Sequence, residues 1–532
     1  MARTSRSLTA AAVAATVAVA MSLVVGNRET PSWAASDRIS GPYAALLGSS
    51  TDLGPARTGV IRLTAALRPG TAPRRLTDWA AGNGLSVQWR SGDPWAIVFG
   101  EPPAMAGALG VEIHDYRARR GTVFYASPQQ PAIPPDVTGE VAELGRILGY
   151  TPYREALPPP PLEVPDQGLK PDALLRAYNV TPLRDAGYTG KGETVVIFAF
   201  DGFDQADLDL FTQTYNLPPL APEVLGGQPA ERRGEATMDL QAAHAVAPEA
   251  RKVLVNARPT VDGAGSYEKI GALMEEVNRR YPGAVWSFSI GWGCDKLITA
   301  ADLVPVRTAL TRAQENGTTA FDAGGDLAGL ECKGGNEWSS PPHSDDIGLD
   351  AVASIPEMTN VGGTTLSTEG SGRWLSEQAW FDAPLSQGTA GGTSALYTRP
   401  AWQQDLAGVE ADDSRLAPDI SAVADPFTGV RIVFGQQEIV GGGTSLAAPL
   451  WGGFAAVMNQ YLVERGASRL GNLNPLLYDV ARGAGLPGFH DVVLGGNAVA
   501  DAGPGYDLAT GLGTPDLDNL VRNILVLKKL RP

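Results

Sequence analysis

Ser445 lies in the run Gly441-Gly442-Gly443-Thr444-Ser445-Leu446-Ala447-Ala448-Pro449, a setting suited to a nucleophile. The glycines permit a tight turn, and the apolar stretch 446–458 reads as a buried helix. Backbone N–H groups at the start of such a helix favour developing negative charge. A plain serine cap on a helix has the same local pattern. Gly391-Gly392-Thr393-Ser394 repeats the tetrapeptide, but residues 395–400 do not continue as a buried helix, so local physics favours Ser445.

A serine nucleophile needs a base. The chain has four histidines: His114, His244, His343 and His490. Only His244 and the loop residue His343 fall in the region of alternating strands and helices before Ser445. His244 comes late in a helical segment that carries Glu235 near its start and Asp239 four residues on. That spacing puts both carboxyls on one helix face, close enough to share a proton. An exposed acidic face has the same spacing. Asp201, His244 and Ser445 make the competing set, a neutral subtilisin-like triad.

Asp326 ends the glycine-rich sequence Ala323-Gly324-Gly325-Asp326. As a neutral acid it donates a hydrogen bond to an oxyanion, which ties activity to low pH. An Asp in a tight turn is the plainer reading. Further on, Asp491 and Asp507 flank Gly495-Gly496-Asn497 and Gly503-Pro504-Gly505. Two carboxylates with glycine-freed carbonyls make an oxygen-rich calcium site plausible, although the EF-hand pattern is absent and metal-free turns look alike. No CxxC or HExxH motif is present, which excludes the common zinc patterns.

These residues need elements to hold them. Residues 194–200 form a continuous apolar run, expected as a strand buried on both faces. After it come a helix from Gln205, a helix over 235–247 stopped by Pro248, a strand over 252–256 and a helix over 266–280. A strand over 285–290, a helix over 300–316 and a strand over 318–322 follow. Alternating strands and helices imply a doubly wound parallel α/β sheet, whose active groups gather at the strands' carboxyl ends. Ahead of this region, residues 36 to about 150 read as a small α+β module with strands near 60–63, 95–99 and 121–126 and a helix over 75–83. Pro158-Pro159-Pro160-Pro161 and Pro165 mark a stiff, exposed linker suited to cleavage.

The first 35 residues read as an export signal. Arg3 and Arg6 precede an Ala- and Val-rich apolar run over 8–25, then Ser32-Trp33-Ala34. An uncleaved anchor is the competing reading, but Ala-rich runs partition weakly into lipid, and no other segment is long enough to span a bilayer. The expected product is therefore secreted and extracellular, with no stable membrane association. A net charge of -16 over 532 residues argues against nucleic-acid partners. In an exported chain, Cys294 and Cys332 can form a disulfide.

The motifs in order resemble the sedolisin family of serine-carboxyl peptidases. They are residues 171–180 with Gly190-Lys191-Gly192, Gly234-Glu235 to Asp239, Ala247-Pro248, 287–293, 323–326, Val361-Gly362-Gly363-Thr364, 391–394, Pro418-Asp419-Ile420-Ser421, 442–449, and Asp491-Val492 with 503–507. The resemblance implies a subtilisin-like fold over 166–532, preceded by an activation prodomain and linker over 36–165. It implies hydrolysis of proteins or peptides in acid, as an endopeptidase or a tripeptidyl-aminopeptidase. Ser445 becomes the nucleophile, Glu235 the general base, Asp239 its tuning partner and Asp326 the oxyanion donor. Calcium would be held by Asp491 and Asp507 and by carbonyls of Val492, Gly503 and Gly505. The prodomain would inhibit at neutral pH and be cut from a monomeric enzyme within the linker. Some relatives carry a further Glu on the first strand; here that stretch reads Ile197-Phe198-Ala199-Phe200-Asp201, and Asp201 is expected to hold a turn. Cys294 and Cys332 both follow strands on the active side and are expected to be bonded across the cleft rim. A catalytically silent binding protein of the same fold is the alternative from another class.

Overall fold

A computed structural model describes residues 38–530, apart from 119–120, 156–167, 334–345, 383–386, 405, 407–412 and 484. The export signal, most of the Pro-rich linker and His343 lie outside the described residues.

The amino-terminal module contains β1 (Ile61–Leu67), α1 (Arg74–Gly82), β2 (Ser86–Gln88), β3 (Trp95–Gly100), α2 (Pro102–Leu109) and β4 (Val141–Leu144). Its antiparallel sheet has the order β2-β3-β1-β4. β1 alternates buried and half-buried residues, as a sheet with one covered face requires. Ile61, Leu63, Ala65 and Leu67 meet Leu76 and Ala80 of α1 and Met105 of α2 in a core of their own. The chain then reaches the larger unit through β5 (Arg154–Glu155).

The larger unit is built on β6 (Thr194–Ala199), β7 (Glu223–Leu225), α3 (Glu235–Val246), β8 (Arg251–Asn256), α4 (Ser266–Arg280), β9 (Val285–Phe288), β10 (Ile290–Gly291), α5 (Val304–Glu315), β11 (Thr319–Ala323), β12 (Thr359–Thr368), β13 (Trp374–Ala379), β14 (Ile420–Val423) and α6 (Thr444–Glu464). Its sheet runs β7-β8-β6-β9-β11-β12-β13, with β14 also paired to β12. Every pairing is parallel except β12 with β13. The doubly wound α/β sheet expected from the alternation is therefore present. The strand order reverses around β6, and the crevice at such a reversal is where open α/β sheets place their chemistry. One face packs on α3 and α6, the other on α4 and α5.

Two boundaries differ from expectation. The strand expected over 285–290 breaks at Ser289, whose hydroxyl is drawn to Asp239, and β10 pairs with β5 of the preceding module instead. The helix expected from residue 300 starts at Val304, after a 3₁₀ turn over Ala300–Leu303. A capping box of Thr299 with Asp302 closes that turn, and Pro305 sets the first turn of α5.

Candidate active site

Two buried helices present their N-termini to one point. α3 starts with Glu235, and α6 starts with Thr444 and Ser445. Asp201, just beyond β6, fixes the start of α3. Its carboxylate accepts from the N–H groups of Arg233 (2.9 Å), Gly234 (3.1 Å) and Ala236 (2.9 Å). Gly234 sits at φ 103°, a conformation that glycine adopts without a Cβ penalty. Asp201 therefore holds the turn, as expected.

Pro449 shapes the second helix. It lies inside α6, where proline has no N–H for the carbonyl four residues back, which is that of Ser445. The freed Ser445 carbonyl accepts instead from the Ser289 hydroxyl at 3.1 Å, and the same hydroxyl lies 3.0 Å from Asp239 Oδ1. Ser289 thus ties the Ser445 segment to the carboxyl pair. No role for Ser289 is legible in the sequence; Pro449 within a helical pattern was the available signal.

Glu235 and Asp239 are buried on the same face of α3. Each has one oxygen, Oε1 of Glu235 and Oδ2 of Asp239, with no hydrogen-bond partner among the described residues. Burial pushes the Glu235 carboxyl well above its ordinary range, and the charges of Asp239, Asp201 and Asp326 push it further. The Ser445 hydroxyl bonds to the Glu235 carboxylate and works in the other direction. Burial likewise pushes Asp239 well up, against the hydrogen bond from Ser289. Two such groups retain a proton where free carboxyls have lost theirs.

Asp326 follows β11. Its Oδ1 accepts from Thr444 N at 2.7 Å and Thr444 Oγ1 at 2.8 Å, and Oγ1 in turn accepts from Gly325 N at 3.1 Å. This clasp fixes the Gly325-Asp326 turn against the residue before Ser445. Ser394, by contrast, lies in a strand and accepts from Leu396 N and Tyr397 N, so its oxygen serves a local turn.

His244 is nine residues beyond Glu235 on α3, about 13 Å along the axis. Its Nε2 bonds the Pro218 carbonyl at 2.8 Å. Burial, with the Lys252 charge, pushes it down to about 3. Asp201, His244 and Ser445 are thus not a triad here. Just beyond β6, Phe200 packs edge-on against Trp292, with ring centroids 5.5 Å apart.

Cys294 and Cys332 are bonded, joining the loop after β10 to the loop after β11. In the C-terminal loop, Asp491 Oδ2 accepts from Gly505 N at 2.9 Å and Asp507 Oδ2 from Gly503 N at 3.1 Å. Both carboxylates therefore converge on one turn. No described hydrogen bond ends on the carbonyls of Val492, Gly503 or Gly505. An oxygen-only set with unused carbonyl lone pairs suits a hard cation such as calcium.

No family model matches the chain. The chain is 31% identical to kumamolisin of Bacillus sp. (strain MN-32) over 62% of its own length and 59% of that protein's. It is 26% identical to tripeptidyl-peptidase 1 of Homo sapiens, over 78% of this chain and 76% of that one. Among solved structures, Pseudomonas sedolisin, a serine-carboxyl proteinase complexed with two molecules of pseudo-iodotyrostatin, aligns with TM-score 0.54 and 25% identity, covering 67% of this chain and 98% of that one. The fold, the order of its motifs and these relatives agree: the chain is similar to the sedolisin family of serine-carboxyl peptidases, and spans about three fifths of the length of kumamolisin.

Proposed function

We propose that this chain is an exported proenzyme whose mature part, 166–532, hydrolyses peptide bonds in acid through an acyl-enzyme on Ser445. The observation that carries the proposal is the meeting of the Ser445 hydroxyl with the buried Glu235 carboxyl, beside Asp239 and the clasped Asp326. Glu235 takes the hydroxyl proton as Ser445 Oγ attacks the scissile carbonyl carbon. Asp239 tunes Glu235 and turns it toward Ser445. The new oxyanion lies beside Asp326, whose acid form donates a hydrogen bond to it. Collapse expels the amine, which leaves with the proton from Glu235. A water then repeats the sequence on the ester and frees Ser445.

The module over 36–165 is proposed to act as inhibitor until acid frees it, with the cut falling in the linker 158–169. Proteins or peptides are the substrates, and the active form is proposed to be monomeric. Calcium, held by Asp491 and Asp507 and the carbonyls of Val492, Gly503 and Gly505, supplies charge neutralisation to the C-terminal loop.

The test is digestion of a mixed peptide library at pH 4 and pH 7, read by mass spectrometry after acid treatment. Wild type is expected to cleave at about pH 3–5, where a carboxyl pair shares one proton, and Ser445→Ala to leave the peptides intact. A wild type that cleaves nothing in acid makes the chain a silent binding protein. Equal cleavage by Ser445→Ala moves the chemistry to another residue.

A further inference from the structure

The edge of β10 is already occupied by a peptide. β5 pairs antiparallel with it, Ile290 opposite Glu155 and Gly291 opposite Arg154. Just ahead of this pairing, the Tyr153 ring meets Phe200 edge-on at 5.3 Å and lies under the Arg258 guanidinium at 4.6 Å. Phe200 follows β6, Arg258 follows β8, and Trp292, which packs on Phe200, follows β10. The three residues therefore line the carboxyl-end crevice. Pro152 lies against Gly293, where a Cβ would come within 3.1 Å of the proline ring. The chain thus continues along the crevice instead of meeting a wall.

We propose that Phe200 and Arg258 form a substrate subsite that selects an aromatic side chain four residues before the scissile bond, in a cleft open beyond that point. The inference rests on the peptidase reading above. One step further along the register, the residue of a bound strand faces Ser289, whose hydroxyl touches the Ser445 main chain. That residue supplies the acyl group, and the one at the position of Tyr153 is three residues earlier. A ring there gains an edge-to-face contact with Phe200 and a cation–π contact with Arg258, whereas a Lys or Arg meets like charge. An open crevice at that point makes the enzyme an endopeptidase, since a tripeptidyl-aminopeptidase accepts only three residues ahead of the bond it cuts.

The experiment uses acid-activated enzyme, amino-terminally acetylated peptides that differ only at the fourth residue before a fixed cleavage site, and free-amino peptides with three residues ahead of the same bond. Tyr is expected to exceed Ala roughly tenfold in kcat/KM, and Ala to exceed Lys. In Arg258→Ala and Phe200→Leu the Tyr-to-Ala ratio is expected to fall to about two or three, and because it is a ratio within one preparation it is insensitive to the amount of folded enzyme. Cleavage without selectivity at that position, selectivity unchanged in both variants, or cleavage only of peptides with a free amino terminus three residues from the bond overturns the proposal while the peptidase reading stands. No cleavage of any peptide at any pH overturns the peptidase reading itself.

Discussion

Three negative neighbours and a nearly dry environment raise the proton affinity of Glu235; one serine hydroxyl lowers it. The general-base role proposed for Glu235 needs the anionic form, so the sign matters. A raised value means that the carboxylate accumulates only as pH climbs, and the acid limb of activity belongs to the pair rather than to an ordinary glutamate. Removing the Asp239 charge removes one raising cause. In Asp239→Asn the acid limb of kcat/KM is expected to move to lower pH, while Glu235→Gln is expected to lose about 10²–10⁴ in kcat at every pH. A pH–rate profile of each variant checks this; an acid limb unmoved in Asp239→Asn would separate the two groups. Single residues were unequally legible. Ser445 and Ser394 share a tetrapeptide, and what tells them apart is the helix behind one of them. Ser289 was hidden, because a lone serine in a strand gives no sign of which distant backbone it will meet.

At the scale of elements, periodicity was a good guide wherever a segment packs on one neighbour. Expected and observed bounds of α3 and α4 agree within a residue. They diverge where a side chain from elsewhere intervenes, as at Ser289 and at the Thr299–Asp302 capping box. The C-terminal loop is another such element. Asp507 is buried, and burial raises its carboxyl despite hydrogen bonds from Gly503, Ala509 and Thr510. A bound cation would offset the cost of the Asp507 charge. Chelation at neutral pH is therefore expected to lower the melting temperature, with RT ln(1 + [L]/Kd) giving about 2.7 kcal/mol at a hundredfold excess over Kd. Scanning calorimetry with and without added calcium checks this, and an Asp491→Asn variant should lose the difference.

For the whole molecule, the amino-terminal module is held by charged contacts, and acid acts on them in opposite directions. Along α4, Arg62 of the module clasps Glu268 at 3.1 and 2.8 Å. Arg90 and Asp93 of the module meet Glu275 and Arg312 in a four-member ring. The hydrogen bond from Arg90 is the main cause holding Glu275 below its ordinary range, so its contribution to docking is present above that range and is lost as pH falls through the lowered value. Asp302, which accepts from the N–H of the module's Arg146 at 3.0 Å, has the opposite sign. Burial raises it to about 6, so the cost of its charge disappears as pH falls through that value, and docking tightens first. Glu275→Gln, made in the inert Ser445→Ala background, is expected to weaken docking at pH 7 by about 1 kcal/mol, roughly fivefold, and to match its parent near pH 3. Module release followed by size-exclusion chromatography after linker cleavage checks this; equal release at pH 7 removes Glu275 from the device.

The pairing of β5 with β10 has a consequence for how tightly the module needs to bind. A tethered strand faces its groove at an effective concentration of about a millimolar. If the module inhibits as proposed, an intrinsic Kd of about 10 μM would keep roughly 99% of chains occluded, with no need for a tight inhibitor. Once the tether is cut, the fragment dilutes far below that Kd and does not return. Modest affinity joined to one covalent link thus makes the opening one-way.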